Sequence, residues 1–401
     1  MTLLTDAASH LFDLVELRRA LHQIPEVGLD LPQTQQLVLN ALEGLPLEIT
    51  TGTATTSIVA VLRGGRPGPT VLLRGDMDAL PVREATDLPY ASANGAMHAC
   101  GHDLHVAGLV GAARLLSARR EELAGNVLFM FQPGEEGYGG AKVMLEEGLL
   151  EASGDLPIAA YGIHVSPGEH GVFWQRSGPA LAGSNTLHIT VTGKGGHGSQ
   201  PHTAIDPVAA LVAIAADLQT MVTRRFSVFD PVVLTITQLS GGEAINVIPD
   251  TAALGATVRT LSAQSVETMR QETARLAEGI AAAHGCTAAV DFQVQYPVTI
   301  NDPDESAWVL EELRGVFGTE RVEDRPDPLM GSEDFSYVLQ EVPGTFFFLQ
   351  CTPPELDPTT VSWNHSAEVL FDDAVLADQA AALAHLAIAR LEHAEMSQAD
   401  A

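Results

Sequence analysis

Four runs within the first 165 residues place apolar side chains at consecutive positions: residues 56–64 (TSIVAVLRG), 70–75 (TVLLRG), 126–132 (NVLFMFQ) and 158–165 (IAAYGIHV). A strand that is apolar on both faces has to be covered on both faces, which is the condition of a largely parallel sheet clad in helices. Residues 104–123 supply such a cover, since Val106, Leu109, Val110, Ala113 and Leu116 recur at the three-and-four spacing of one helix face. The chain is therefore expected to build an α/β sheet flanked by helices. In sheets of this kind ligands collect beyond the carboxyl ends of the strands, so the residues after each run are where chemistry is expected.

The side chains just past these runs are acidic or metal-seeking. Asp76 and Asp78 come after the second, Glu135 and Glu136 lie in FQPGEEGYGG after the third, and His164 stands at the end of the fourth. The densest cluster is MHACGHDLH, with His98, Cys100, His102, Asp103 and His105 in a chain of only 3 cysteines, and His365 arrives late in WNHS. Taken alone, a Cys and a His two apart are equally well core residues, and an isolated Glu-Glu pair is most often a solvated turn. The setting of Glu135 and Glu136 argues otherwise, because PG before and GYGG after make a tight loop with few side chains beside a strand. Neighbours in an extended loop point in different directions, so one carboxylate can hold a metal while the other takes a proton. Sulfur, nitrogen and oxygen donors together favour zinc, manganese, cobalt or nickel over magnesium or calcium. Hydrolysis with two such ions also needs a carboxylate base and a donor for the developing oxyanion.

From about residue 183 the pattern changes to strand (NTLHITVTG), helix, strand (VVLTITQLSG), strand (TAALGATVRT), helix and strand (TAAVDFQVQY). This is the ferredoxin-like order, so residues 183–293 are expected to form an α+β domain inserted into a first domain made of 1–182 and 294–401. Its first helix should open with Asp206 as cap and Pro207 at the first helical position. The expected apolar face is Val208, Leu211, Val212, Ala215, Leu218 and Val222. His197, in GKGGHGSQPH, is of a kind that is more often a surface residue, although a glycine-rich loop could deliver it to a carbonyl oxygen. Strand 345–351 (TFFFLQC) should rejoin the first domain, and the Ala-rich tail after 376 should close it with a helix that frays.

Composition narrows the partners. At 401 residues two domains are the default. A formal charge of -30, from 51 acidic and 21 basic residues, opposes nucleic acid and anionic membranes as partners. No stretch approaches the ~20 apolar residues that span a bilayer. The first residues, MTLLTDAASHLFDLVELRRALHQ, read as an amphipathic helix and not a secretory signal. Cys100, Cys286 and Cys351 form no disulfide framework, and a cytoplasmic location fits these features.

RRALHQIPEVG, LLRGDMDALPV, MHACGHDLH, FQPGEEG, GIHV, GKGGHGSQPH, GGEAINVIPD, GATVRT, MGSEDFSYV and NHSAEVLFDD stand in this order over about residues 14 to 375. Together they resemble the metallopeptidase-related amidohydrolases, the family of aminoacylases, hippurate hydrolases and auxin-amino-acid conjugate hydrolases. The resemblance implies a di-metal, di-zinc aminopeptidase-like catalytic domain with a mixed sheet, and a lid domain that often mediates dimerisation, so a homodimer or higher homo-oligomer through the inserted domain. It implies Cys100, His102, Glu136, His164 and His365 as ligands of two divalent ions, Glu135 as general base, and Asp78 as the supporting aspartate that would orient a histidine ligand or the metal-bound water. His197 would polarise the scissile carbonyl, in related enzymes sometimes from the partner subunit. Asn246 and Arg259 would hold the substrate carboxylate, with the backbone around Gly331 nearby. Two departures stand out: Leu104 replaces the glycine usual after CGHD and could reshape the site wall, and Gly134 replaces a common alanine. The implied activity is hydrolysis of small-molecule N-acyl-L-amino acids; a dipeptidase or carboxypeptidase using the same machinery is the close rival. A catalytically silent binding protein is disfavoured by the full ligand set, and a structural metal protein by five mixed ligands with a spare glutamate.

Overall fold

The structure, a computed structural model, describes residues 2–399. One compact unit takes the described chain up to Ala180, Ile300–Asp327 and the chain from Asp334 onward. Its eight-stranded sheet runs Leu47–Thr51, Ile58–Arg63, Ala124–Gln132, Arg66–Asp76, Ala159–Ser166, Gly344–Gln350, Phe173–Gln175, Val322–Asp324. The central block from Ala124–Gln132 to Gly344–Gln350 is parallel, and the strand on each side of it turns antiparallel. The parallel block coincides with the runs that are apolar on both faces: Val71, Leu72, Leu73, Val127, Leu128, Phe129, Met130 and Phe131 are all fully buried. Its carboxyl ends, at Asp76, Gln132, Ser166 and Gln350, therefore line one edge of the sheet.

The helix His102–Ala118 starts at that edge, and it is buried nearly all round instead of along one stripe. Helices Leu3–His22 and Val375–Ala399 pack on it and on each other. A helix with neighbours on every side loses the periodicity of a surface helix, which is why the face expected from Val106, Leu109, Val110, Ala113 and Leu116 understates its burial. The Ala-rich tail is a closing helix as expected, and much of it is core: Ala380, Ala381, Ala382, Leu383, Ala384, Leu386, Ala387 and Leu391 are fully enclosed, while the end expected to fray runs beyond the described residues. Leu104 is fully buried in the same apolar cluster, so its departure from glycine is absorbed by core packing and not by a wall of the site. Among the described residues no helix is long and apolar enough to cross a membrane.

The second unit comprises Leu181–Thr299 and Pro328–Glu333. Its strands pair antiparallel in the order Val233–Gly241, Thr251–Thr260, Gly183–Thr192, Thr287–Tyr296, with helices Pro207–Arg225 and Ala263–Ala283. This is the ferredoxin-like arrangement. Asp206 caps the first helix by accepting the Val208 N–H at 2.8 Å. The stripe that helix buries is rotated from the one expected. Ala210, Leu211, Ile214, Leu218 and Met221 join the core, whereas Val212 is exposed and Val208, Ala215 and Val222 lie at the margin. Both stripes have helical spacing, and the one chosen buries the larger Ile214 and Met221 while the small Ala210 lets the helix come close to its neighbours.

Candidate metal centre

Every segment expected to carry chemistry in the first unit ends at one place. The ligand-type atoms of Cys100, His102 and His164 lie within 4.8 Å of one another, as do those of Cys100, Glu136 and His365, and those of His102, Glu135 and Glu136. Cys100, His102 and Glu136 each belong to two of these groups, so the three groups form one continuous cluster of donors. Gly101, between Cys100 and His102, has a φ of 81°, a left-handed turn open to glycine that sends both side chains to the same point. A Cβ there would lie 2.3 Å from Val165 Cγ2. Gly134 likewise takes a φ of 73° just before the two glutamates.

Backbone carbonyls fix the histidine tautomers. His102 Nδ1 donates to Asp78 O at 2.9 Å and His164 Nδ1 to Val165 O at 2.7 Å. A carbonyl only accepts, so Nδ1 carries a proton in both rings and Nε2 is the ring atom left to face the cluster. Asp78 does more. Its Oδ1 accepts the Glu135 N–H and its Oδ2 the Glu136 N–H, each at 3.0 Å. One carboxylate thus grips two successive amides and leaves both glutamate side chains for other work. His365 reaches the cluster from a loop in which it has a φ of 71°, the one non-glycine residue with positive φ among those described, and its N–H donates to Ala99 O at 2.8 Å.

These donors fit a cation better than they fit one another. His102 Nε2 stands 3.1 Å from Asp76 Oδ2, and His365 Nε2 3.1 Å from Glu136 Oε1. Yet His102 Nε2 and Glu136 Oε1 are buried without a well-aligned hydrogen bond, as atoms aimed at a common third partner would be. The electrostatics demand positive charge. Burial alone would lower the His102 imidazole, but Asp76, Asp78 and Cys100 hold it well above its ordinary value. Contacts with Cys100 and then Glu136 push His365 up to about 10. Burial and the neighbouring His105 keep His164 well below the usual imidazole range, as suits a lone-pair donor. Sulfur, imidazole and carboxylate together fit two divalent transition-metal ions.

Behind the cluster lies a layer of charge that sequence reasoning left without roles. His105 Nδ1 donates to Asp76 Oδ1 at 2.6 Å, and its Nε2 accepts the Val165 N–H at 2.8 Å, beside His164. Arg74 meets Asp76 Oδ2 at 3.0 Å and donates to Gln132 at 2.9 Å; Gln132 in turn donates to Asp334 at 2.6 Å. Asp103 binds Arg18 at 2.8 Å and His22 at 2.7 Å, tying the first helix to the start of the helix after Cys100. A signal for the first pair was present: Arg74 and Asp76 are two apart on a buried strand and so share a face. For Arg18 and Asp103, 85 positions apart, there was none.

In the second unit the expected residues fall into two separated pairs. His197 pairs with Val247 across a short ribbon, and Gly198 N–H donates to Asn246 O at 2.8 Å. That ribbon follows the Thr192 end of strand Gly183–Thr192. Arg259 pairs with Ser184 at the other end, where Leu181 bridges Leu329 and lies beside Gly331. The strand between the pairs is 10 residues long, or about 30 Å at the rise of an extended chain. His197 Nδ1 accepts the Ser199 N–H at 3.1 Å, so its neutral ring carries the proton on Nε2. Arg259 is half-buried, held by Thr257 Oγ1 at 2.9 Å and Val258 O at 3.3 Å, and burial lowers its pKa.

Residues 72–389 match Peptidase family M20/M25/M40, and the chain belongs to that family. It is 38% identical over 385 residues to thermostable carboxypeptidase 1 of Saccharolobus solfataricus, covering 94% of each chain. It is 36% identical over 365 residues to N-acetylcysteine deacetylase of Bacillus subtilis, covering 90% of this chain and 93% of that one. Among solved structures it is similar to the Bacillus subtilis YXEP protein, a dinuclear metal binding peptidase from the M20 family, with a TM-score of 0.83, 32% identity and coverage of 96% and 99%. The chain is thus a metal-dependent hydrolase of amide bonds.

Proposed function

We propose that the protein hydrolyses N-acyl-L-amino acids to a carboxylate and a free amino acid, and that its substrate is recognised by a free carboxylate. The observation that carries this is Arg259. In a chain with 51 acidic residues for 21 basic ones, a half-buried guanidinium has no carboxylate partner among the described residues, only a hydroxyl and a carbonyl. An anionic ligand would supply the charge-assisted bond it lacks.

In this reading Cys100, His102, Glu136, His164 and His365 hold two divalent ions, which when bound supply the Lewis acidity that makes water a nucleophile near neutral pH. Glu135, whose backbone and not its side chain is fixed by Asp78, takes a proton from the attacking water and passes it to the leaving nitrogen. His197 donates from Nε2 to the carbonyl oxygen as negative charge grows there. Arg259 and the backbone near Gly331 receive the substrate carboxylate, and Asn246 works beside His197.

An N-acyl amino acid is far shorter than the strand that separates His197 from Arg259. Both can serve one substrate only if they come from different copies of the chain, so the second unit acts as a dimerisation module that lends His197 and Asn246 to the partner's site. Two inactive variants test this. Glu135→Gln and His197→Ala, mixed after dissociation, regain activity if each mixed dimer rebuilds one intact site, and stay inactive if the residues act within one chain. A panel of N-acyl amino acids and unblocked dipeptides on the metal-loaded enzyme tests the substrate class. Turnover confined to unblocked peptides would replace this reading with a peptidase.

A further inference from the structure

Asn364, the residue before His365, lies where three ligand-bearing segments meet. Its Nδ2 is 3.3 Å from Cys100 O, 3.6 Å from Cys100 Sγ and 3.2 Å from Val165 O, while its Oδ1 is buried without a protein partner. The orientation is forced by chemistry: two carbonyl oxygens and a sulfur can accept, so the NH2 group must face them. Val165 O already receives His164 Nδ1, so the amide shares an acceptor with the bond that sets the His164 tautomer. On the other side, His365 N–H is tied to Ala99 O. One side chain thus spans the segments Ala99–Cys100, His164–Val165 and Asn364–His365.

We infer that Asn364 is a positioning residue for the metal pair, which acts by donating an N–H to the Cys100 sulfur and by fixing the spacing of Cys100, His164 and His365. The inference rests on Cys100, His164 and His365 being metal ligands. Its physical content is twofold. Hydrogen bonds to a ligand sulfur draw electron density from it and so tune the bound metal. Loss of a group that orients a ligand typically weakens metal binding about 10- to 100-fold. A merely structural amide would stabilise the loop without touching either property.

The test uses the full chain stripped with chelator and reloaded with Co2+. Three quantities are compared between the parent, Asn364→Ala and Asn364→Asp, the last keeping the shape while losing both donors. They are the thermal midpoint of the metal-free protein, the Co2+ affinity by chelator competition, and the energy of the thiolate-to-cobalt charge-transfer band. Folded variants should bind Co2+ about 10- to 100-fold more weakly, and the band should move to longer wavelength as the sulfur regains electron density. A folded variant whose affinity stays within about twofold and whose band does not move overturns the inference while leaving the ligand set intact. A parent protein with no thiolate band overturns Cys100 as a ligand, and the inference with it.

Discussion

The two compact units hold their chemical residues in opposite ways. In the first, Cys100 and His102 are buried, Glu136 and His164 are half-buried and only His365 is exposed among the five, with the His102 and His164 imidazoles and the glutamate pair pinned through Asp78 and Val165. In the second, His197, Asn246 and Gly331 are exposed and Arg259 is half-buried. The contrast reflects the partner each set has to meet. Donors for a cation must converge before it arrives, and converged anions repel one another unless a scaffold of fixed charges holds them. Groups that meet a substrate can stay solvated, since the substrate brings the partner they lack. In the first unit preorganisation is therefore built into strand ends, and in the second it is left to binding.

The largest effect expected is at the boundary between bracing and chemistry. If Asp78 holds Glu135 by its amide alone, Glu135→Gln leaves the brace whole, and kcat should fall about 100-fold or more with metal content unchanged. Metal analysis beside kinetics on one preparation decides it. A variant that loses its metal would make Glu135 part of the scaffold and erase the division between brace and base.

A smaller, more selective effect belongs to the second unit. Arg259→Ala should raise KM about tenfold or more for substrates with a free carboxylate, with kcat little changed, because it removes a charge-assisted bond made equally in ground and transition states. For the matching carboxamides the change should be slight. Equal losses on both would place the carboxylate elsewhere and reduce Arg259 to a structural residue.

How much of this was legible in the sequence depends on the range of the interaction. The parallel strands and the residues at their ends could be read because apolar runs and the turn after them are local. Glu135 and Glu136 could be told apart in principle, since neighbours diverge, but the Asp78 carboxylate that separates them is 57 positions away. The helix Pro207–Arg225 carries two apolar stripes of equal periodicity, and only packing volume chose between them. Nothing local marks Asn364, because its acceptors, Cys100 and Val165, lie 264 and 199 positions distant. The spacing of His197 from Arg259 is a matter of strand register, which fixes both at opposite ends of one strand and leaves no trace in either motif.

The smallest effect probes the brace itself, at a distance from the reacting groups. His22 Nδ1 meets Asp103 at 2.7 Å and its Nε2 meets Glu84 at 3.2 Å. Arg18 and the rings of Tyr90 and His98 close the surroundings. Burial opposes protonation here, but Asp103 and Glu84 outweigh it and raise His22 above its ordinary value. The folded protein thus holds this proton more tightly than the unfolded chain. The resulting stabilisation is complete below about pH 6.5, the ordinary histidine value, and is lost as the pH rises through the higher value of the folded state. His22→Gln keeps a hydrogen-bonding side chain but not the charge. It should cost about 1–3 kcal/mol at the acid end of this range and progressively less above it, while kcat changes little. Urea unfolding from mildly acid to mildly alkaline pH measures the gap, in chelator so that pH-dependent metal retention does not contribute. A gap that widens with pH would mean that His22 is neutral when folded and that Arg18 alone balances Asp103.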